Sequence, residues 1–352
     1  MAINTGGMDI AVIGGGVIGL TSAIALAEDG HRVRVVSRDA AGATTSAVAG
    51  GLCWPYRIRP YERAVQWSVR SFHVLAALAR RPEETGARMV TGTMTDATDG
   101  GPDAQAGDRP GERPGERPDD DLAAWYDAVP GLRRASAEEL PEGYAAGWRA
   151  RTPLVDMPAH LRYLERRLTA AGGSVERREV TSPAEAGRRA DVVVNCSGLG
   201  ARELVPDPEV HPVQGQLVIV ENPGIEEWYV SADAGSADTT YVLPQPYGVV
   251  LGGTARENAW SREPDPAVAE AIVARCARRF PELAGARVRE HKVGLRPARP
   301  AVRLAVERLP DGTPCVHNYG HGGAGVTVSW GCADEVLRSV RALREGDGPR
   351  GR

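Results

Sequence analysis

The chain has 352 residues and a formal net charge of −4 from well-mixed acidic and basic residues, which gives no basic surface for nucleic acid or an anionic membrane. Its length allows two domains, or one large domain with an inserted one. The five cysteines are widely spaced without a C-x-x-C pair, which argues against a disulfide framework or a metal site and favours a reduced, cytoplasmic protein. The N-terminal residues lack a secretory pattern, and no apolar run is long enough to span a bilayer.

The first predicted elements are a strand, a turn, a helix and a second strand. Asp9–Ile13 is a short apolar run that suits a parallel strand buried on both faces. Apolar residues at helical spacing cover Val17–Glu28, and Gly30 suits the end of that helix. Arg32–Val36 is the second predicted strand. This order is typical of the first unit of a dinucleotide-binding fold.

The turn between that strand and helix holds Gly14, Gly16 and Gly19 at the spacing G-x-G-x-x-G. The first glycine allows the tight turn, the second lets a pyrophosphate approach bare backbone, and the third lets the helix pack on the strand. A carboxylate that binds ribose is usual at the end of the second strand, where this chain has Ser37 and then Arg38. Serine binds ribose less strongly, and the arginine suits the adenosine or a phosphate. The motif predicts dinucleotide binding and leaves FAD, NAD and NADP open.

The next stretch, Ala40–Tyr56, is a loop of small and hydroxyl-bearing residues. In it, Thr44, Thr45 and Ser46 either line a phosphate or flavin edge or cap the following element. Further along, Asp99–Asp121 contains the tandem sequence GERPGERP. That segment cannot bury enough apolar surface to offset its chain entropy, so it is predicted to be a disordered loop insertion without chemistry.

The remaining elements mix helices with strands and a second small-residue turn. Helices are predicted over Glu62–Ala79, after Pro158 within Thr152–Leu168, over Asp265–Phe280 and over 326–344. Strands are predicted over Ser174–Val180, Asp191–Gly200 (which ends in a turn against the cofactor) and Pro314–Tyr319. The alternating or β-branched runs Pro212–Val220 and Tyr241–Gly253 predict an antiparallel sheet. Val293–Arg303 (VGLRPARPAVR) precedes the last of these strands without an assigned element.

This order predicts an α/β protein whose cofactor domain is built from discontinuous segments. A Rossmann-like domain is expected to comprise residues 1–50, 152–205 and 293–345. An interleaved, antiparallel β-rich substrate domain is expected to comprise 51–151 and 206–292, because the β-branched and alternating runs lie between the mononucleotide-type units.

Seven stretches together resemble the D-amino-acid oxidase family of flavoproteins. They are VIGGGVIGL (12–20), TTSAVAGGLCWPY (44–56), VVVNCSGLGARELV (192–205), PVQGQLVIV (212–220), YVLPQPYGVVLGGTA (241–255), GLRPARPAVRL (294–304) and HNYGHGGAGVTVSWGCA (317–333). The resemblance implies non-covalent FAD and oxidation of D-amino acids, with neutral or apolar side chains preferred. Hydride passes from Cα to flavin N5, the imine hydrolyses to a 2-oxo acid and ammonia, and O2 is reduced to hydrogen peroxide.

The resemblance also implies roles for individual residues. Arg296 matches the arginine that holds the substrate carboxylate with two parallel hydrogen bonds. Tyr241 matches the tyrosine whose hydroxyl contacts the same carboxylate. Gly323 matches the glycine whose backbone carbonyl accepts a hydrogen bond from the substrate amine. The glycine loop around Gly323 opens the last helix, whose N-terminus would stabilise reduced flavin. His321 in that loop is interpreted as structural rather than as a base.

Pocket-lining residues are expected at Leu52, Trp54 and Val230. The expected FAD-contacting residues are Gly14, Gly15, Gly16, Val17, Ile18, Gly19, Ser37, Arg38, Thr44, Thr45, Ser46, Gly50, Gly51, Leu52, Val180, Ser197, Gly198, Arg296, Gly322, Gly323, Gly325, Val326 and Thr327.

Two departures from the family pattern leave alternatives open. Ser37 replaces the acidic ribose ligand, and Ser231–Thr240 lacks a second active-site tyrosine, which favours a shorter or more open lid. An oxidase for D-aspartate, glycine or sarcosine is the nearest alternative; an acidic substrate would need a second cation, for which Arg57 and Arg256 are candidates. A flavin-binding protein without turnover and an NAD dehydrogenase are further alternatives. A homodimer is expected.

Overall fold

The computed structural model describes residues 6–55, 58–96, 123–141, 144, 146–232 and 238–346. The predicted insertion Asp99–Asp121 therefore lies outside the described residues, as do Arg57 and the centre of Ser231–Thr240. The described strands form one mixed sheet of 14 strands.

The strands are β1 Asp9–Ile13, β2 Arg32–Ser37, β3 Ala87–Asp96, β4 Arg133–Arg134, β5 Gly147–Val155, β6 Ser174–Arg177, β7 Val192–Asn195, β8 His211–Val220, β9 Trp228–Ala232, β10 Asp238–Gln245, β11 Gly248–Thr254, β12 Arg256–Glu257, β13 Val288–Arg308 and β14 Pro314–His321. The helices are α1 Val17–Glu28, α2 Tyr61–Leu78, α3 Pro82–Thr85, α4 Ala123–Ala128, α5 Met157–Ala170, α6 Pro183–Ala186, α7 Ala201–Leu204, α8 Pro266–Arg279 and α9 Gly325–Arg344.

One end of the sheet is parallel and the other is mainly antiparallel. Strands β14, β7, β1, β2 and β6 are adjacent in that order and all parallel. At the other end, β9, β10, β11, β8 and β13 pair in antiparallel fashion. The predicted α/β class, with a Rossmann-like part and an antiparallel part, is confirmed. The division into two domains stays a prediction.

Strand β13 joins the two parts of the sheet. Its first half pairs with β8 up to Ala298, and its second half pairs with β14 from that residue on. The stretch Val293–Arg303, to which the sequence assigned no element, lies inside this strand. Pro297 lies next to the register shift between Ala298 and Arg303, and Pro300 lies within it. Regular pairing is already interrupted there, so the missing N–H of each proline costs few hydrogen bonds and the strand continues through both residues.

One predicted helix boundary was wrong for a local reason, and one run predicted to lie in an antiparallel sheet forms a complete hairpin. Helix α5 begins at Met157, before Pro158, because the Asp156 side chain accepts from the Ala159 N–H at 3.0 Å and proline fits a first helical turn. The run predicted over Tyr241–Gly253 is a hairpin of β10 and β11. Its chain reverses just before Gly248, whose φ of +139° is open to glycine and strained for other residues.

The main core lies where the helices cover the sheet. The pairs α1–α9, α2–α9 and α1–α5 pack against each other over this face. Buried side chains of the core include Leu20, Ile24, Leu161 and Leu164, all fully enclosed. A second cluster, around Ile272, packs α8 on the opposite face against β8, β10 and β11. Among the described helices, none combines the length and apolarity needed to cross a bilayer.

Acid should weaken folding through His160, which is buried on α5 with Nδ1 2.7 Å from the Thr85 carbonyl oxygen. Burial lowers the pKa of His160 from 6.5 to about 4. The unfolded chain, with the ordinary histidine pKa of 6.5, binds this proton more readily than the folded chain. The free energy of unfolding should therefore fall as the pH drops from the unfolded pKa towards the folded pKa, and the loss near pH 5 should be about 2 kcal/mol. Urea unfolding near pH 7 and near pH 5 measures the loss.

The substitution His160→Gln should remove this share of the pH dependence. His73→Gln, at an exposed position of α2, is the matched control and should keep it. If the free energy of unfolding of His160→Gln falls between pH 7 and pH 5 by as much as that of the parent, the assignment to His160 is contradicted.

Candidate active site

The glycine turn after β1 is packed too closely for side chains. A Cβ placed on Gly14 would lie 2.4 Å from the carbonyl oxygen of Cys196, and one on Gly19 would lie 1.9 Å from the carbonyl oxygen of Gly14. The turn therefore lies directly against the turn after β7, which carries Ser197. The predicted first and second cofactor turns are brought together at the carboxyl ends of parallel strands, where open α/β sheets bind ligands.

Two serine hydroxyls hold the start of α1. The Val17 N–H donates to Ser46 Oγ at 3.0 Å, and the Gly15 N–H donates to Ser37 Oγ at 3.1 Å. Ser37 Oγ in turn donates to the Asp39 carbonyl oxygen at 2.8 Å. The Ser37 proton is therefore used inside the protein, which gives this hydroxyl a structural task besides its predicted ribose contact.

The other predicted residues near the adenosine end and the loop have protein partners too. Arg38 forms an ion pair with Asp39 at 2.9 Å. Thr44 Oγ1 donates to the Ala41 carbonyl at 2.6 Å, which is a local capping contact. Thr45 Oγ1 donates to the Leu295 carbonyl at 3.0 Å, so it ties the loop to the strand that carries Arg296.

Arg296 lies on β13 with its guanidinium held in one place. Its Nη1 donates to the Thr254 carbonyl oxygen at 2.9 Å. A Cβ placed on Gly215 would lie 2.4–2.5 Å from three guanidinium atoms, and one on Gly323 would lie 3.4 Å from Arg296 Cδ. The missing side chains of Gly215 and Gly323 therefore make the space in which the arginine lies.

Tyr241 lies on β10 with its ring over a pair of glycines. A Cβ on Gly252 would lie 1.8 Å from the ring, and one on Gly253 would lie 2.6 Å from the hydroxyl. Burial raises the pKa of Tyr241, and the Arg296 guanidinium, which also hydrogen-bonds the hydroxyl, opposes that rise without cancelling it. The phenol is therefore neutral at physiological pH, with its proton available to an anion beside Arg296.

Of the three predicted pocket residues, one is the direct neighbour of Tyr241, and the other two belong to the same hydrophobic cluster. Val230 on β9 is the direct cross-strand neighbour of Tyr241. Leu52 forms an isolated bridge with Leu154. The Trp54 ring has its centroid 5.9 Å from that of Trp125 and 5.8 Å from that of Trp228. The wall beside Tyr241 is therefore apolar and aromatic.

Comparison with known proteins identifies the family. The sequence matches the family described as FAD dependent oxidoreductase over residues 9–338. A D-amino-acid oxidase from Streptomyces coelicolor is 58% identical over 331 residues, covering 94% of this chain and 96% of that protein. One from Rubrobacter xylanophilus is 51% identical over 327 residues, covering 92% and 93%. The structure of glycine oxidase from Bacillus cereus, 18% identical, has a TM-score of 0.73 and covers 97% of this chain and 96% of its own.

The chain belongs to the D-amino-acid oxidase family of FAD-dependent oxidoreductases. The family predicted from the sequence motifs is confirmed, and with it the oxidoreductase class and FAD as the cofactor. The glycine oxidase comparison bears on the fold of this flavoenzyme alone.

The described residues of this flavoenzyme fit a dinucleotide. The glycine turn leaves bare backbone for a pyrophosphate, and the start of α1 presents the positive end of a helix, while the Gly15 and Val17 N–H groups are held by serines. Ser197 Oγ is buried and has no hydrogen-bond partner among the described residues, as expected of a hydroxyl that faces a polar ligand. Gly198 lies beside Pro297, next to Arg296.

The other glycines on the predicted cofactor side have structural partners. The Gly50 carbonyl accepts from Gln245 Nε2 at 3.0 Å, and the Gly51 carbonyl accepts from the Val155 N–H at 2.9 Å. Val180 is buried with Ile13 and Val36, beneath the end of β2. These contacts position the backbone that is predicted to face the cofactor.

The last glycine loop lies at the start of α9. A Cβ on Gly325 would lie 4.0 Å from side-chain carbons of Val17 and Ile18, so the starts of α1 and α9 meet. Gly322 has a φ of +54°, and Val326 is buried. The two helix N-termini of this flavoenzyme therefore converge on the predicted cofactor region.

Thr327 and His321 have partners that the sequence did not reveal. Thr327 Oγ1 accepts from the Trp54 N–H at 3.2 Å and donates to the Trp54 carbonyl at 3.1 Å, so its hydroxyl holds the pocket wall. His321 is buried with Nε2 3.6 Å from Cys332 Sγ, and burial lowers its pKa to about 3. The ring is therefore neutral at physiological pH, in agreement with a structural role.

Sequence reasoning missed Gly215, Gly252, Gly253 and Thr254 at the site, and Trp125 and Trp228 in the aromatic wall. A signal existed for the glycines, because glycine inside a strand often marks the close approach of another group. No signal existed for Thr254, which acts through a carbonyl that every residue has. Arg256, a candidate second cation, is exposed on β12 beside β8.

Proposed function

We propose that this chain oxidises the Cα–N bond of neutral D-amino acids, with FAD bound non-covalently and O2 as the final electron acceptor. The observation that carries the proposal is the guanidinium of Arg296, held between the Thr254 carbonyl and the bare backbone of Gly215, with the Tyr241 hydroxyl beside it. The two relatives named D-amino-acid oxidase support the same reaction.

The substrate carboxylate binds to Arg296 and Tyr241. A guanidinium has five N–H donors in a planar fork, and the Thr254 carbonyl takes one of them, so a two-point contact with a carboxylate is available. The neutral Tyr241 hydroxyl donates to the same carboxylate. The Gly323 carbonyl, next to the Arg296 stem, accepts from the substrate amine. Together these contacts fix Cα and the direction of its hydrogen.

The residues that would hold FAD are those of the glycine turn, the Ser197–Gly198 turn and the glycine loop before α9. When bound, FAD supplies the two-electron acceptor that takes hydride from Cα and passes the electrons to O2. The start of α9 at Gly325 presents the positive end of a 20-residue helix to the negative charge that reduction brings. The protein needs no base for this step, which agrees with a neutral, buried His321.

The side-chain pocket favours apolar substrates. Leu52, Trp54 and Val230 offer no charge to a second carboxylate, and an acidic side chain in such surroundings would carry a large desolvation cost. Arg256 is exposed and Arg57 lies outside the described residues. An oxidase for D-aspartate is therefore less well supported. A flavin-binding protein without turnover would have no use for the Arg296–Tyr241 pair.

The spectrum of the purified protein tests the proposal. We expect a yellow protein whose colour is released by acid precipitation, since the FAD is non-covalent. Under anaerobic conditions D-alanine should bleach the flavin within seconds to minutes, and L-alanine should leave it oxidised. A colourless protein, or equal bleaching by both enantiomers, would refute the proposal.

We further propose a cytoplasmic location and a homodimer. All five cysteines are buried free thiols, as suits a reducing compartment. The two-domain division at residues 1–50, 152–205 and 293–345 against 51–151 and 206–292 is also a proposal. It is supported by the change of pairing direction at β14, which pairs antiparallel with β13 and parallel with β7.

A further inference from the structure

Helix α8 packs on the back of the hairpin that carries Tyr241. Val242 and Leu251 on that hairpin are buried against Ile272 of α8. Tyr241 precedes Val242 and therefore points to the opposite face, where it packs with the main core. Side chains of α8 can thus reach the hairpin backbone without entering the substrate pocket.

Arg275 of α8 reaches that backbone at a break in the strand pairing. The register between β10 and β11 shifts between Asp238 and Tyr241. At this place Arg275 Nη2 donates to the Thr239 carbonyl and to the Gly253 carbonyl, each at 3.0 Å. A charged donor thus joins two strand segments where the regular ladder is interrupted.

Both carbonyls belong to segments that hold the carboxylate-binding pair. Thr239 lies two residues before Tyr241. Gly253 lies under the Tyr241 hydroxyl and directly precedes Thr254, whose carbonyl receives the Arg296 guanidinium. The Arg275 charge also acts to lower the pKa of Tyr241, as the Arg296 charge does. One side chain outside the pocket therefore contacts the supports of both Tyr241 and Arg296.

We propose that Arg275 is a positioning residue for the substrate carboxylate, acting through the backbone of Thr239 and Gly253 on Tyr241 and Arg296. The inference rests on the proposed function, because it assumes that these two residues bind the carboxylate. It assigns to α8 a part in substrate binding in addition to its packing role.

The test compares Arg275→Met with Arg278→Met in the FAD-bound enzyme. Methionine keeps the apolar stem of Arg275 and removes the hydrogen bonds to the Thr239 and Gly253 carbonyls. Arg278 is exposed on the same helix and serves as the matched control. We expect Arg275→Met to raise KM for D-alanine about tenfold and to weaken binding of propanoate, which is D-alanine without its amine, by a similar factor. The value of kcat should change less than threefold, and Arg278→Met should match the parent.

Melting temperature and flavin content are measured in parallel, because a purely structural role would lower them and leave KM and propanoate affinity at parental values. That result would overturn the proposal. If Arg275→Met gives no FAD-bound protein, Arg275→Gln, which retains an amide donor, replaces it. This variant should also raise KM for D-alanine and weaken propanoate binding. Parental values of both would equally overturn the proposal. If Arg296→Ala also leaves propanoate binding unchanged, the proposed function fails; if only Arg275→Met does so, the failure is confined to Arg275.

Discussion

Arg296→Ala should lower kcat/KM for D-alanine by about 100-fold or more. The change removes the fork that binds and orients the carboxylate, and each 1.4 kcal/mol of lost transition-state stabilisation is roughly tenfold in rate. Arg296→Lys keeps the charge and loses the planar fork, so it should lie between the parent and the alanine variant. FAD content should stay near parental in both, and stopped-flow reduction of the flavin by D-alanine measures the effect.

Arg256→Ala is the matched control for this substitution. Arg256 is exposed and lies two residues beyond Thr254, so the same change of charge occurs near the site without loss of the fork. Parental activity is expected for D-alanine. The assignment of Arg296 to carboxylate binding fails if the flavin of Arg296→Ala, a variant that is still yellow, is reduced by D-alanine at the parental rate.

Gly215→Ala should lower kcat/KM for D-alanine by roughly 10- to 100-fold, because a misplacement of about 1 Å at a reacting group can cost that much. The added Cβ would lie 2.4–2.5 Å from guanidinium atoms of Arg296. Those atoms form the far end of a flexible side chain, so the guanidinium can move aside at little cost in folding. Steady-state kinetics should therefore show a large loss while the melting temperature and flavin content hardly change.

Gly285→Ala is the control for the added methyl group, since no heavy atom lies within 4 Å of a Cβ at that position. It should match the parent in kinetics and stability. Parental KM and kcat in Gly215→Ala would show that Arg296 does not need its present position. A large fall in melting temperature in that variant would instead show that the strand backbone moves.

The glycine unit at the start of the chain was determined by the sequence alone. The predicted bounds of Asp9–Ile13 and Val17–Glu28 agree with β1 and α1. Apolar periodicity and the glycine spacing are local signals, carried by residues adjacent in the chain. The family, FAD and the expected role of Arg296 followed from motifs of the same kind, each within one short stretch.

The surroundings of the Arg296 guanidinium were decided only by the tertiary structure. Gly215 and Arg296 are 81 positions apart in the sequence, and nothing in either stretch states that their strands are adjacent. Thr254 and Gly253 act through carbonyl oxygens, which every residue has, so their sequence carries no sign of the contact. Arg275 is one of many arginines, and only the packing of α8 behind the hairpin brings its guanidinium to the two carbonyls.

The partners of the hydroxyl groups were decided in the same way. From the sequence, Ser37, Ser46 and Thr327 were all expected to contact the cofactor. In the fold, Ser37 and Ser46 hold the first N–H groups of the glycine turn and α1, and Thr327 holds the backbone of Trp54. A hydroxyl bonds to any acceptor or donor within about 3 Å, so its partner depends on which distant segment folds next to it, and a local pattern does not contain that information.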